Sequence, residues 1–188
     1  MKIAVIGTTK IDNPQIIKKA KEIGKLIAIN KHTIVTGGTN GYPHIVALSA
    51  IKAGGKVISY ATGRSMSDHS RFHDADLSEY TDVIFQKKYF SKKLSVIDNY
   101  LRSLDMCSKV DMAIVISGKV GTMYEVTIMS GMSKNIYVLK GSGGVTGHTI
   151  REFIKEGHKT KSKILFFKNP EELNKVLKNK SPNLILPN

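Results

Sequence analysis

The feature that most constrains this chain is a repeated alternation between short β-branched runs and longer segments of helical period. The runs are "KIAVIG" (2–7), "HTIVTG" (32–37), "KVISY" (56–60), "TDVIFQ" (81–86), "DMAIVIS" (111–117), "NIYVLKG" (135–141) and "KILFF" (163–167). They are continuous apolar stretches rather than in-and-out patterns, which is what a strand buried on both faces requires. Between them lie segments predicted as helices at 13–30, 43–55, 91–109, 121–133, 147–157 and 170–179. In the first, Asn13 is placed to cap and Pro14 to occupy the first helical position, and Ile16, Ile17, Ala20, Ile23, Gly24 and Ile27 form the apolar stripe. Strand–helix alternation predicts a Rossmann-like, doubly wound α/β fold with a mainly parallel sheet and helices on both faces. The domain is expected to span 1–180, with 181–188 as a C-terminal tail. The polar stretch 64–80 has no period and is expected to be a loop over the pocket.

Four glycine-rich turns follow strands: "GTT" (7–9), "TGGTNGY" (36–42), "SGKVGT" (117–122) and "GSGGVTG" (141–147). In a parallel sheet these share one edge. Glycine lets backbone N–H groups approach an anion, and a following helix N-terminus adds its dipole and unpaired donors. Gly7, Thr8, Gly37, Gly38, Thr39, Gly118, Lys119, Gly121, Thr122, Gly141, Ser142 and Gly143 are therefore the expected contacts to a nucleotide or sugar phosphate, with Thr146 as a further hydroxyl donor. Neither a Walker loop nor the Gly-x-Gly-x-x-Gly fingerprint occurs at the required position, which sets aside ATP hydrolysis and NAD.

The chain carries 29 Lys and Arg against 15 Asp and Glu, a net charge of +14. That excess draws anions. Its densest clusters, 155–163 and 175–180, lack the interleaved aromatic residues that would stack on bases, so nucleic acid is not an expected partner. A single cysteine, Cys107, excludes an intrachain disulfide and is expected to be a buried packing residue. With no signal-like start and no membrane-length apolar run, a cytoplasmic protein is expected.

Two stretches carry a family resemblance. "TGGTNGYPHIVALSAIKAGGKVIS" (36–59) resembles the first signature of the LONELY GUY (LOG) group within the SLOG superfamily. "SGKVGTMYE" (117–125) resembles its second, Pro-Gly-Gly-x-Gly-Thr-x-x-Glu. Arg102 lies nine residues before Asp111 and fifteen before Ser117, the spacing of the family's essential arginine. The sequence departs from the pattern at Ser117 (proline in the family), Lys119 (glycine), and Pro43 and His44 (methionine and glycine).

The resemblance implies a dimer that hydrolyses the N-glycosidic bond of nucleoside 5′-monophosphates, with Arg102 and Glu125 as catalytic residues. It implies equally a non-catalytic nucleotide binder or molybdenum cofactor carrier, and the superfamily includes proteins labelled possible lysine decarboxylases. Glu125 would orient water or stabilise developing positive charge. Arg102 would polarise the leaving base or hold phosphate. The expected ligand is thus a phosphorylated small molecule. No cofactor is assigned, and no lysine is marked for pyridoxal phosphate. His69 and His73 stand four apart among Asp68, Asp74 and Asp76, a spacing a helix could turn into a metal pair, but no metal is assigned. Tyr42 and Tyr124 are candidates for stacking on a base, and His148 for hydrogen bonding at a helix start.

Overall fold

The computed structural model of the chain describes residues 1–157 and 160–179, so the expected tail at 181–188 lies outside the described residues. Among the described residues there are seven strands: β1 (Lys2–Gly7), β2 (Thr33–Thr36), β3 (Lys56–Ala61), β4 (Asp82–Phe85), β5 (Met112–Ile116), β6 (Asn135–Leu139) and β7 (Ile164–Phe167). The helices are α1 (Pro14–Ile29), α2 (Tyr42–Lys52), a single short turn α3 (Met66–His69), α4 (Val96–Ser108), α5 (Val120–Gly131), α6 (Thr149–Glu156) and α7 (Pro170–Lys178). All pairings are parallel, and the strand order is β4-β3-β2-β1-β5-β6-β7.

Successive strand residues point to opposite faces, and here both faces are dry. Ile3 and Val5 of β1 join one core with Ile23 and Ile27 of α1, Val46 of α2 and Val176 of α7. Ala4 and Ile6 join a second core with Met106 of α4, Val126 and Met129 of α5 and Ile150 of α6. Each fully buried isoleucine contributes about 2 kcal/mol of transfer free energy, so neither face of β1 tolerates a polar residue. The continuous apolar runs thus became strands sandwiched between two helical layers.

Local chemistry sets the helix ends. Asn13 Oδ1 accepts from the N–H groups of Gln15 (2.9 Å) and Ile16 (3.3 Å), with Pro14 following as expected. Helix α4 begins at Val96, five residues later than its sequence period suggests. The reason is Asp98, whose carboxylate accepts from the backbone N–H groups of Phe90 (2.7 Å) and Ser95 (2.8 Å) and draws residues 90–95 into a turn.

The chain runs outward from β1 to β4 and then returns to place β5 beside β1, pairing Gly7 with Ile116. Helices on either side of this reversal diverge, leaving a crevice at the carboxyl ends of β1 and β5.

Candidate active site

That crevice holds a cleft of about 230 Å³. Of the residues expected from sequence, Gly7, Thr8, Gly37, Thr39, Arg102, Lys119, Gly121, Thr122 and Glu125 line it. Gly38, Gly118, Gly141, Ser142 and Gly143 are not among the lining residues.

The 141–147 turn, expected to contact a ligand, lies behind the 117–122 turn and outside the lining of this cleft. Ser142 Oγ accepts from Ser117 N–H (2.8 Å) and donates to Leu139 O (2.8 Å), while Val145 N–H donates to Gly118 O (3.0 Å). The hydroxyl of Thr146 is likewise committed, donating to Gly143 O (2.7 Å). This fourth turn buttresses the third. Gly38 also turns inward, its carbonyl accepting from His69 Nε2 (2.8 Å).

The 117–122 turn feeds α5. Ser117 has φ 58° and Gly118 φ 119°, so two consecutive residues lie in left-handed space. A side chain at Gly118 would overlap Thr122. Proline, locked near φ −65°, cannot adopt the Ser117 conformation, so this turn follows a backbone path that the family's proline would forbid. The first turn of α5 carries no acidic residue. Its unpaired amides and dipole therefore remain available to an anion, with Lys119 and the buried Thr122 beside them.

At the cleft wall lie Arg102 and Glu125, with Arg102 Nη1 3.8 Å from Glu125 Oε1 and their side chains only 5% and 13% exposed. The pair is close enough for attraction but too far for a hydrogen bond. Arg102 Nη2 donates to Asn99 Oδ1 (2.7 Å), and its Nε, fully buried, meets no hydrogen-bond partner among the described residues. Glu125 Oε1 accepts from Ser103 Oγ (2.9 Å). Burial pushes the Glu125 carboxyl above the ordinary carboxylate range, with Arg102 and Ser103 opposing the rise. Burial also lowers the Arg102 guanidinium from its ordinary value, and Glu125 opposes that fall. A carboxyl whose proton affinity is raised by burial is suited to proton transfer as well as to charge stabilisation.

Gly37 serves this arrangement by being small. A Cβ there would overlap Arg102 Nη1 and lie 2.8 Å from Cζ. Gly37 thus leaves room for the guanidinium while also lining the cleft.

Sequence reading missed Asn99 and Ser103. Asn99, Arg102 and Ser103 stand at i, i+3 and i+4, one face of a helix, so polar residues on the inward face of α4 were the available signal. Tyr100 and Tyr124 form an edge-to-face pair with centroids 5.0 Å apart at the cleft. Tyr42 is fully buried, its hydroxyl 3.4 Å from Asp12, and is not a stacking surface. His148 stands exposed at the N-cap position of α6, but its side chain makes no capping hydrogen bond, its Nδ1 lying 3.9 Å from Glu152 Oε1. Cys107 is buried, and desolvation pushes its thiol up to about 12. Among the described residues no group of three or more His, Cys, Asp or Glu could hold a metal ion, and no helix is long and apolar enough to cross a membrane.

A family model described as the SLOG cluster4 family matches residues 1–174. The chain belongs to the SLOG cluster4 family. No curated protein matches it. Among solved structures it is similar to the X-ray structure of TM1055 (TM-score 0.75, 18% identity, covering 95% of this chain and 98% of that one). It is similar also to a molybdenum cofactor binding protein from Rippkaea orientalis (TM-score 0.69, 19% identity, 95% and 96% covered). DNA processing protein A from Helicobacter pylori, described for its single-stranded DNA binding mode, aligns with TM-score 0.68 at 16% identity over 96% of this chain and 81% of that one. These likenesses establish the Rossmann-like architecture that this SLOG chain shares with them.

Proposed function

We propose that the cleft binds a nucleoside 5′-monophosphate and hydrolyses its N-glycosidic bond to free base and ribose 5-phosphate. The observation that carries this reading is the buried Arg102–Glu125 pair at 3.8 Å, set in the same cleft as the α5 N-terminus, with Arg102 Nε lacking a partner among the described residues. Lys119, Thr8, Thr122 and the first amides of α5 take the phosphate. Cleavage generates positive charge at the ribosyl anomeric carbon, as in glycoside hydrolysis. Glu125 stabilises that charge and orients the water whose oxygen bonds to the carbon; the C–N electron pair leaves with the base, and the proton the water loses passes through the Glu125 carboxylate to the departing base nitrogen. Arg102 polarises the leaving base through N–H donation and carries no proton to it, since guanidinium stays charged.

The test is release of free base from a panel of ribonucleoside 5′-monophosphates. Glu125→Gln is expected to lower turnover by about 10²-fold or more. Release unaffected by that substitution overturns the reading. Lys119, where the family's turn has glycine, favours a second reading in which a phosphorylated ligand is held without turnover. A molybdenum cofactor would be held through its phosphate by Lys119, Thr122 and the α5 amides. Retention of a small molecule through purification, with no base release, supports that reading. A single-stranded oligonucleotide in the same panel tests the expectation of no nucleic-acid partner, which tight, steeply salt-dependent binding would overturn. The homodimer implied by the resemblance would cover the exposed Val96, Ile97, Tyr100 and Leu104 on α4. Light scattering decides it.

A further inference from the structure

The polar segment 64–80 takes no part in the phosphate and ribosyl chemistry above, yet His73 lines the cleft. Its Nε2 is 3.1 Å from Asn99 Oδ1, the same oxygen that accepts from Arg102 Nη2 (2.7 Å) and Thr62 Oγ1 (2.9 Å). A guanidinium can only donate, so the Asn99 atom it meets is the carbonyl oxygen and not the amide nitrogen. That oxygen can only accept. His73 Nε2 must therefore carry the hydrogen.

The ring is neutral. Desolvation, with Arg102 and His69 nearby, pushes its pKa down to about 4, against the smaller opposing effects of the Asn99 bond and Asp74. A neutral imidazole with hydrogen on Nε2 has a bare lone pair on Nδ1, and that atom meets no hydrogen-bond donor among the described residues. His69, one turn earlier, differs. It is fully buried, with Nε2 donating to Gly38 O (2.8 Å) and Nδ1 accepting from Thr62 N–H (3.0 Å). Both of its nitrogens are engaged, so of the two histidines His73 alone has acceptor capacity to offer the cleft.

We propose that His73 Nδ1 is a ligand-recognition group: it accepts a hydrogen bond from an N–H or O–H donor of the bound nucleotide, and so makes the site selective for ligands carrying that donor. The inference rests on the nucleotide reading above. The donor is either an exocyclic amine of the base or a ribose hydroxyl. Asn99 holds both His73 and Arg102 by one oxygen, so the recognition group and the proposed catalytic cation keep a set geometry relative to one another. The His69–His73 spacing thus divides two tasks, one ring anchoring the segment and the other lining the cleft.

Calorimetric titration of wild type and His73→Phe distinguishes the two donor sources. The probes are adenosine, inosine, 2′-deoxyadenosine and 3′-deoxyadenosine 5′-monophosphates. Wild type is expected to bind the adenosine compound about tenfold tighter than one of the others, with the difference collapsing in His73→Phe. Loss with the inosine compound assigns the amine, and loss with a deoxy compound assigns that hydroxyl. Selectivity that survives His73→Phe, an equal loss for all four probes, or no selectivity in wild type overturns the proposal. Nitrogen-15 NMR of the ligand-free protein gives a second measurement, independent of the variant's folding. It is expected to show His73 at pH 7 as the Nε2–H tautomer. Wild type that binds none of the four overturns the nucleotide reading and the recognition role built on it. Nucleotide binding with His73 in the Nδ1–H or imidazolium form overturns this inference alone.

Discussion

Gly37→Ala should unseat Arg102. The added methyl would overlap Nη1 and lie 2.8 Å from Cζ and 3.2 Å from Nη2. The guanidinium has little room to retreat: Asn99 holds Nη2 at 2.7 Å and the side chain is 5% exposed. Either the backbone after β2 shifts, an overpacking cost of about 1–3 kcal/mol, or the charged bond to Asn99 breaks, a loss of about 1.5–3 kcal/mol. The expected destabilisation is about 2–3 kcal/mol, or roughly 4–12 °C in Tm for a chain of this size. Urea denaturation measures it directly. The decisive comparison places the same substitution in an Arg102→Met background, where the clash is with a flexible side chain that can move. There the cost should fall below about 1 kcal/mol, a coupling of roughly 2 kcal/mol between the sites. Gly121→Ala is the control, because a Cβ there meets nothing within 4 Å. On a helix it should be neutral or stabilising by up to about 1 kcal/mol. An equal cost for Gly37→Ala in both backgrounds, or none in wild type, would refute the assignment of Gly37 as space for the guanidinium.

The other expectations concern the turn, the acid limb and Asn99. Ser117→Gly should raise stability by about 1 kcal/mol, because φ 58° is strained for a residue with a Cβ. Ser117→Pro, which introduces the proline of the LOG signature, should lose about 3 kcal/mol or more by forbidding that φ and removing the N–H that donates to Ser142; thermal unfolding ranks all three. His73 has a folded pKa of about 4, below its ordinary 6.5. Its contribution is therefore fully present above pH 6.5 and declines as pH falls from there toward 4. After allowance for partial exposure this is about 1 kcal/mol between pH 7 and 5. Denaturation at the two pH values should show the drop, and His73→Phe should reduce it. Asn99→Ala removes the acceptor shared by Arg102, His73 and Thr62 and should destabilise by about 2–3 kcal/mol. Asn99→Asp, which keeps an acceptor, should recover much of that; if the two variants are equally unstable, the shared oxygen is not what matters.

Much of the architecture was legible because its causes are local. The β-branched runs could be buried on two faces only in a parallel sheet, and Asn13 with Pro14 marked the start of α1 before any contact was known. Arg102 and Glu125 were singled out only through the family resemblance of the 102–125 stretch, and the two lie together at 3.8 Å. The roles of individual glycines were not legible. The same residue type stands in four different settings here: φ 119° at Gly118, space for a guanidinium at Gly37, φ 67° close against Ser59 and His69 at Gly38, and an open helix position at Gly121 where nothing demands glycine. Sequence shows only that a side chain is missing, whereas the reason depends on what stands opposite.

The same division runs through the whole molecule. Composition, period and turn chemistry determined the strands, the helices and the edge of the sheet on which a ligand site would form, since each follows from residues close together in the chain. Tertiary structure alone decided which turns face the cleft. It set the 141–147 turn behind 117–122 as a support, and it brought His73 of one loop, Asn99 of α4 and Thr62 after β3 to a single oxygen. Those contacts join residues as far apart as 37 positions, and such pairings are fixed by how the layers pack, which no local pattern records.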